Sequence, residues 1–258
     1  MRISNQLFLL LMGLLFLTAT SCVNTRKTAY FVDVPKDLIV ASPAPDQQLI
    51  HPGDILAIQV SSPNPEATTI FNNNSSTALN GTNAIEVTGY LVDPEGNIQF
   101  PMLGKIKAGM LTKRDLTDQI RNQLLERKLL LEPVVSIRFL NFRVTVLGEV
   151  EHPQVVPVPS EKISILEALG AAGDLTIYGR RDNLLLIRDE GGQKMLTRID
   201  LNSKELLSSP YFYLHNGDVL YAEPNKARVG AATNTRQLLP IILSGLSFVT
   251  IILDRLTR

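Results

Sequence analysis

The 258-residue sequence has no tryptophan, only one cysteine and only three histidines. A single cysteine excludes a disulfide within the chain and the multi-cysteine sites that hold structural zinc. The histidines, His51, His152 and His215, lie far apart and none belongs to a His-x-x-x-His pair, so we interpret them as turn or surface residues. With so few cysteines and histidines, we expect neither a disulfide scaffold nor a metal site.

The chain carries no excess charge of either sign, because 25 lysines and arginines balance 25 aspartates and glutamates. It therefore lacks the positive field that attracts nucleic acid. Catalytic motifs are also absent: residues 170–173 lack the Gly-Lys-Ser/Thr ending of a phosphate loop, and Asp93 and Glu95 flank a proline in a predicted tight turn. We predict no enzyme activity, no cofactor and no nucleic-acid partner.

Long apolar runs occur only near the two ends of the chain. Near the N-terminus, Arg2 precedes an apolar run at residues 7–17, which is too short to span a bilayer and is typical of a secretory signal peptide. Small residues then lead to Cys22, whose thiol can carry a diacylglycerol while cleavage before it exposes an amine for acylation. We predict a signal peptide at residues 1–21 and a lipid-anchored tether at residues 22–46. The alternative is an ordinary secretory signal with an incidental cysteine.

The first half of the remaining chain alternates strand and helix patterns. A turn at residues 50–54 leads into an aliphatic strand, and the polar stretch at residues 61–84 is interpreted as a surface loop. Two short strands within residues 89–100 flank the turn sequence Asp-Pro-Glu-Gly, which predicts a hairpin. Thr112 can cap a helix, and strands follow at residues 134–139 and 143–148; the apolar helix positions are Leu116, Ile120 and Leu124. This order predicts an α+β domain.

A second unit starts at residue 144. A helix at residues 164–172 ends near Gly173, and strands are predicted at residues 183–188 and 218–222. One helix against a small mixed sheet is a β-grasp arrangement. Because the strand at residues 144–147 would close the first unit and open the second, we expect a rigid junction between them. The only aromatic cluster, Tyr211, Phe212 and Tyr213, is interpreted as part of the core and of an interface.

The C-terminal region combines apolar residues with a narrow polar stripe. Residues 225–237 form a small, polar linker, and residues 238–258 are predicted to form a membrane-spanning helix. The apolar part, roughly 16 residues at about 1.5 Å each, is ~24 Å long and suits a thin membrane better than a ~30 Å core. At 100° per residue one face collects small or polar side chains, among them Ser244, Ser247, Thr250 and Asp254. Such a face needs a neighbouring helix or water; a simple anchor with incidental serines is the alternative.

Several motifs, taken in order, resemble a known family. They are Pro52-Gly53-Asp54 before an aliphatic strand, the stretch from Gly89-Tyr90-Leu91-Val92-Asp93 to Phe100-Pro101-Met102-Leu103-Gly104, and Pro133-Val134-Val135 before Val146-Leu147-Gly148-Glu149-Val150. These resemble the polysaccharide biosynthesis/export domain. The later Ile165-Leu166-Glu167-Ala168-Leu169, Ala172-Gly173-Asp174, Asp200-Leu201 and Asn216-Gly217-Asp218-Val219-Leu220 resemble the soluble-ligand-binding β-grasp domain that usually follows it.

The resemblance implies an export domain at residues 47–143, one β-grasp domain at residues 144–224 and an outer-membrane helix at the C-terminus. It further implies a lipid-anchored homo-oligomeric ring through which capsular or extracellular polysaccharide crosses the outer membrane, docked onto an inner-membrane copolymerase. The stripe of Ser244, Ser247, Thr250 and Asp254 would then face the lumen. The adjacent Arg180 and Arg181 are placed at a surface between subunits or toward the copolymerase, with simple solvent exposure as the alternative.

Two other classes of function remain open on the sequence alone. One is a lipid-anchored periplasmic adaptor or glycan-binding module that forms no pore, which would be a stable monomer. The other is a polymer-modifying enzyme, for which the sequence offers no catalytic site. The lack of tryptophan favours a conduit over a tight sugar receptor, because the largest flat stacking surface is missing.

Overall fold

A computed structural model describes residues 29–32, 34–41, 43, 48–72, 89–232 and 235–256. The predicted signal peptide, Cys22 and part of the predicted tether lie outside these residues. Within them the predicted α+β class is confirmed. In chain order the elements are β1 (Ile55–Ser61), α1 (Pro65–Asn72), β2 (Tyr90–Leu91), β3 (Asn97–Phe100), β4 (Gly104–Lys107), α2 (Lys113–Glu126), β5 (Val134–Phe139), β6 (Arg143–Gly148), β7 (Gln154–Pro157), α3 (Ile165–Ala171), β8 (Gly179–Glu190), β9 (Gln193–Ile199), a 3-10 helix (Lys204–Ser208), β10 (Val219–Pro224), α4 (Lys226–Ala232) and α5 (Thr235–Leu256).

The first sheet has three antiparallel strands in the order β2-β1-β5. In β1 the side chains of Leu56, Ile58 and Val60 are buried while alternate residues face outward, as expected of a sheet with one covered face. Helix α2 packs against β5. It begins as predicted, because Thr112 and Asp115 cap each other's backbone amides in a capping box. The predicted apolar side chains of α2 are fully buried, so both its start and its inward face are confirmed.

The predicted hairpin within residues 89–100 is wrong in its pairing. β2 pairs with β1, and β3 pairs with β4 in a hairpin of its own. The turn itself forms: the Asp93 N–H donates to the Asn97 carbonyl at 2.8 Å, and Gly96 adopts φ +78°. Turn residues specify where the chain reverses, but they do not decide which neighbour each two- to four-residue strand joins.

The polar stretch after β1 contains a helix that the sequence analysis missed. In α1, Thr68 and Phe71 are three positions apart and both are buried. Pro65 suits the first helical position, where no N–H is required. The Asn72 side chain exchanges two hydrogen bonds with the Val60 backbone, at 2.8 and 2.7 Å. The interpretation as a loop is therefore wrong for residues 65–72, and residues 73–84 lie outside the described part.

The second sheet is mixed, with strand order β7-β6-β10-β8-β9 and one parallel pair, β6 with β10. Helix α3 is capped by Ser164 and Glu167 and buries Ile165 and Leu169, and Gly173 follows it at φ +78°. These features confirm the predicted helix against a small mixed sheet. The predicted strand at residues 183–188 is longer than expected, and its partner β9 was missed.

The strand at residues 144–147 is not shared by the two units. β6 belongs to the second sheet alone, and the first sheet ends with β5. The chain passes from one sheet to the other through residues 140–142, where the Asn141 side chain donates to the Gly53 carbonyl and accepts from the Ile55 N–H, both at 3.0 Å. The connection is therefore held by side-chain hydrogen bonds rather than by a common strand.

The C-terminal segment is helical, but its predicted passage through a membrane is not supported. Helix α5 contains Pro240 and has several exposed apolar side chains, Phe248 among them. Among the residues that the structure describes, no helix combines the length and the apolar character needed to cross a bilayer. The small and polar residues that interrupt the apolar stretch, and its length of about 24 Å against a ~30 Å core, account for this.

Candidate functional site at the junction of the two sheets

One strand of each sheet follows the same four-residue turn. Each turn reads His-x-Gly-Asp and leads directly into a strand, at residues 51–54 before β1 and at residues 215–218 before β10. In both, an oxygen of the aspartate accepts a hydrogen bond from the histidine N–H at 2.8 Å, and the glycine has a positive φ, +89° and +84°. Both aspartates, Asp54 and Asp218, are buried. Two of the motifs that carried the family resemblance, Pro52-Gly53-Asp54 and Asn216-Gly217-Asp218, thus have the same structural role.

Asn216 joins the two turns. Its side-chain nitrogen donates to Asp54 Oδ1 at 2.8 Å, and its side-chain oxygen accepts from the Arg143 N–H at 2.9 Å. Its own N–H donates to Gln48 Oε1 at 2.9 Å. One residue of the second turn therefore contacts the first turn, the segment before β1 and the start of β6. This contact ties the two sheets together at the turns that precede β1 and β10.

Asp54 is a buried carboxyl at this junction, with 6% of its surface exposed. Burial raises the pKa of Asp54 above its usual range, and the hydrogen bonds from the His51 N–H and from Asn216 only partly oppose this. A carboxyl with a raised pKa binds a proton more readily in the folded than in the unfolded state. Its contribution to stability is therefore greatest at acid pH and is lost as the pH rises through the folded pKa.

The raised pKa of Asp54 leads to a prediction for the substitution Asn216→Asp. The variant places a second carboxyl against Asp54, which we expect to lower the free energy of unfolding at pH 7 by about 2–3 kcal/mol. The loss should shrink as the pH falls to 4.5, because burial and a neighbouring carboxylate both favour protonation of one carboxyl of the pair. Chemical denaturation at the two pH values measures this, with Asn216→Ala as the control that removes the hydrogen bonds without adding charge. A loss that does not change with pH would show that the two side chains do not meet.

A buried ion pair lies beside the second turn. The Arg188 guanidinium donates to both oxygens of Asp218, with Nη2 to Oδ2 at 2.7 Å and Nε to Oδ1 at 3.0 Å. The exposed fractions of the two side chains are 4% and 1%. Arg188 also donates to the Tyr213 carbonyl and lies 5.9 Å from the centre of the Tyr211 ring. The aromatic cluster predicted as core and interface thus lines one side of this pair, with Tyr211 and Phe212 partly buried against the core.

Glu161 forms the second link between the sheets. It has a left-handed backbone, with φ +54°, which is uncommon for a residue with a side chain. One carboxylate oxygen accepts from the Phe139 N–H at the end of β5, and the other pairs with Lys113 at the start of α2. The side chain therefore reaches from the second sheet's loop to two elements of the first unit, and this accounts for the unusual backbone angle being tolerated.

A crevice of about 470 Å³ lies between these links. Its charged lining comprises Lys113, Arg114, Glu161 and Lys162, and its aromatic lining comprises Phe139, Phe142 and Tyr213. The Lys162 ammonium lies 4.5 Å from the centre of the Tyr213 ring, and the Lys113 ammonium lies 5.5 Å from that of Phe139. The lining can donate hydrogen bonds to anionic or hydroxyl-rich groups. The Ser160 hydroxyl donates to the Lys162 carbonyl rather than to a base, which gives no arrangement for nucleophilic catalysis.

The site residues predicted from the sequence have different outcomes. Cys22 lies outside the described residues. Ser244 and Ser247 lie on α5, where each hydroxyl donates to a backbone carbonyl of its own helix, that of Ile241 and that of Leu243, at 2.9 and 3.0 Å. Thr250 and Asp254 belong to the same helix, but their side chains are not among those described. The structure therefore leaves the orientation of the predicted lumen stripe untested.

The placement of both arginines at a surface is wrong for one of them. Arg181 is buried, with 7% of its surface exposed, and its guanidinium donates to the carbonyls of Leu175, Thr176 and Gly179. Arg180 is half-buried and pairs with Asp182 and Glu223 at 3.1 and 3.2 Å. Asp93, considered above in a tight turn, accepts from the Asn97 N–H at 2.7 Å, and this bond lowers its pKa. His51 and His215 are half-buried in the repeated turns, and His152 is exposed.

Two features of the sequence point to this junction. The first is the repeat of His-x-Gly-Asp before a strand. The second is the alternation in β8, where Leu184, Leu186 and Arg188 occupy every second position and share the buried face. An arginine in phase with two buried leucines requires a buried acceptor, and Asp218 is the acidic residue of the second repeat.

Comparison with known proteins identifies the two domains. The sequence pattern described as "polysaccharide biosynthesis/export protein" matches residues 42–140, and that of the SLBB domain matches residues 143–198. An "EPS I polysaccharide export outer membrane protein EpsA" of Ralstonia solanacearum is 28% identical over 202 residues, which are 76% of this chain and 52% of the relative. A protein with the same description from Ralstonia nicotianae (strain ATCC BAA-1114 / GMI1000) is 30% identical over 144 residues, covering 54% of this chain and 37% of the relative.

The chain spans about half the length of the first of these relatives and less of the second. The export pattern covers the first sheet, and the SLBB pattern begins with the second sheet. The boundary between the two patterns, at residues 140–143, coincides with the connection that the Asn141 side chain holds. The repeated turns precede β1 of the first sheet and β10 of the second sheet. The chain therefore belongs to the polysaccharide biosynthesis/export protein family, with its export domain followed by an SLBB domain.

Proposed function

We propose that the chain is a non-catalytic subunit of an oligomeric outer-membrane channel that exports capsular or extracellular polysaccharide. The observation that carries this proposal is the succession of an export domain and an SLBB domain, in a chain related to proteins described as polysaccharide export outer membrane proteins. The channel is a ring of identical subunits docked onto an inner-membrane copolymerase, and most of each subunit lies in the periplasm.

Two features of the structure support assembly into a ring. Asn216 and Glu161 each cross from the second sheet to the first, so that the two domains can act as one block. A closed ring repeats a single interface around an axis, which requires subunits that keep one shape. In addition, helix α5 exposes more than half of the side-chain surface of Ile241, Leu243 and Phe248. A helix with so much exposed apolar surface needs a partner, and counterparts from other subunits can supply it.

Native mass spectrometry of the purified chain in mild detergent tests this proposal. A channel subunit should give a closed oligomer, with a central opening visible in negative-stain images. Complementation of an export-deficient strain then connects the oligomer with the appearance of polymer at the cell surface. The alternative, a lipid-anchored periplasmic adaptor or glycan-binding module that forms no pore, predicts a stable monomer without an opening.

We further propose that Cys22 becomes the acylated N-terminus of the mature protein. Replacement of its thiol by a hydroxyl in Cys22→Ser removes the atom to which diacylglycerol attaches. We expect incorporation of labelled fatty acid to be abolished and the protein to be lost from the outer-membrane fraction. Cys22→Ser protein that still takes up fatty acid and still fractionates with the outer membrane would contradict a lipid anchor at this residue.

The stripe on α5 is proposed to face the polymer's path, with Ser244, Ser247, Thr250 and Asp254 toward water and the aliphatic residues away from it. Cysteine substitutions at Ser244 and Ser247 should then react at least ten times faster with a water-soluble thiol reagent in cells than a substitution at Val249. The hydroxyls of both serines are satisfied within the helix, so their loss should not disrupt it. Equal reaction rates at the three positions would exclude a polar face toward the path.

A further inference from the structure

The crevice at the junction of the two sheets has an excess of positive charge. Its lining contains three cationic side chains, those of Lys113, Arg114 and Lys162, and a single carboxylate, that of Glu161. Both oxygens of this carboxylate are engaged within the protein, one by the Phe139 N–H and the other by the Lys113 ammonium. The carboxylate of Glu161 therefore compensates Lys113 and leaves Arg114 and Lys162 for other partners.

No other acidic side chain takes these two cations. The carboxylates closest in sequence, Asp115 and Glu167, are engaged in the caps of α2 and α3. Among the residues that the structure describes, neither Arg114 nor Lys162 forms an ion pair. Their charges are therefore open to a ligand.

A second, smaller hollow of about 290 Å³ adjoins the crevice. Lys113, Ser160 and Glu161 line both hollows, so the two form one groove across the junction. The second hollow adds Arg138 of β5, which also has no ion pair within the described part of the chain. A chain without net charge thus concentrates three unpaired cationic side chains along one groove.

The cationic groups of the groove can be reached from solvent. Arg114, Arg138 and Lys162 are exposed, and 38% of the Lys113 side-chain surface is accessible. The Lys162 ammonium lies 4.5 Å from the centre of the Tyr213 ring, which favours one position of this flexible side chain. The groove therefore presents several accessible hydrogen-bond donors.

The shape and exposure of the groove favour a linear anionic chain over a small ligand. Arg114 and Arg138 belong to the export domain and Lys162 to the SLBB domain, so a ligand that contacts all three spans the junction. A guanidinium pairs well with a planar carboxylate. Each such contact is weak when it is exposed to water. Several weak contacts hold a polymer and still allow it to move along.

We propose that this groove binds a segment of an acidic polysaccharide through carboxylate groups on its sugars. The Arg114 and Arg138 guanidiniums and the Lys162 ammonium donate to these carboxylates. The inference rests on the proposed function, because it takes the exported polymer as the ligand. It adds the chemical class of that polymer, which carries uronate residues, and it gives the junction of the two domains a role in guiding the polymer.

Calorimetric titration of the full chain, in the detergent used for native mass spectrometry, tests the groove. The probes are an oligogalacturonate, a maltooligosaccharide of the same length and a polyphosphate of the same charge. We expect the oligogalacturonate to bind most tightly, with an affinity that falls as sodium chloride rises from about 50 to about 500 mM. Arg114→Gln and Lys162→Gln should each weaken this binding by about fivefold, and the double variant by about twentyfold.

The matched control is Arg127→Gln. Arg127 is an exposed arginine that directly follows α2, about 20 Å along the helix from Arg114. The control removes the same charge as Arg114→Gln and should bind the oligogalacturonate as the wild type does. Circular dichroism of each variant shows that it is folded.

Four results would overturn the proposal. They are no binding of the oligogalacturonate, equal binding of the neutral sugar, equal binding of polyphosphate, and the same loss of affinity in Arg127→Gln as in Arg114→Gln. Equal binding of polyphosphate would indicate a site for polyanions in general. The titration does not require a ring, so a monomeric chain would count against the proposed channel alone, whereas a ring that does not bind the oligogalacturonate would count against the groove alone.

Discussion

Asp218→Asn is expected to lower the free energy of unfolding of the SLBB domain by about 3–5 kcal/mol, because the change leaves the Arg188 guanidinium buried without its counter-charge. The substitution preserves the size of the side chain and an oxygen that can accept from the His215 N–H. The loss is therefore electrostatic rather than a packing defect. Because the chain has no tryptophan, far-UV circular dichroism during denaturant titration is the suitable measurement.

The control for this prediction is Asp189, which lies on β8 next to Arg188. Asp189 pairs with Lys194 at 2.7 Å, but half or more of each side chain is exposed. Asp189→Asn should therefore cost less than about 1 kcal/mol. The double variant Arg188→Met with Asp218→Asn removes both charges and should recover much of the loss. If Asp218→Asn and Asp189→Asn were equally mild, the Arg188 side chain would have to reach solvent, contrary to the structure.

The elements predicted correctly from the sequence are those determined by neighbours in the chain. Helix α2 is marked by Thr112 at its cap and by apolar residues at four-residue spacing, and helix α3 is marked by Ser164 and by the glycine after it. Capping and amphipathic spacing act within a few residues, so they can be recognised without knowledge of the tertiary structure. The Asp-Pro-Glu-Gly turn was recognised for the same reason.

The features that were missed depend on contacts between distant residues. The pairing of β2 with β1 rather than with β3 joins residues more than thirty positions apart. The burial of Arg181 depends in part on Tyr30, which is distant in sequence and whose ring centre lies 5.4 Å from the Arg181 guanidinium. The link from Asn216 to Asp54 spans 162 positions. No local pattern specifies these contacts, although the repeated His-x-Gly-Asp turn indicated that two equivalent positions exist.

The junction favours one arrangement of the two domains. Between the two domains, half-buried Asn216 donates to the buried carboxyl of Asp54, and half-buried Glu161 accepts from the Phe139 N–H. Such groups are costly unless every partner is present, so the arrangement that satisfies them is favoured over alternatives in which the domains separate. A specific orientation of the two domains is what a repeated interface in a ring would require.

The second large effect is expected at Gly148, where β6 meets β10. Gly148 has φ +92°, and a Cβ atom added to it would lie 2.1 Å from the Ala222 carbonyl oxygen. Because that oxygen belongs to the backbone of the paired strand, Gly148→Ala must separate the two strands, and we expect a loss on the order of 3–4 kcal/mol in the free energy of unfolding. Gly217→Ala is the matched control: its φ is +84°, but nothing lies within 4 Å of the added Cβ, so only the backbone strain of about 1–2 kcal/mol should appear. Equal losses in the two variants would mean that β6 and β10 are not in close contact at Ala222.

The same pair of variants also tests the assembly of the proposed channel. Strand β10 leads through Pro224 into α4 and α5. Gly148→Ala should therefore weaken the oligomer seen by native mass spectrometry more than Gly217→Ala does.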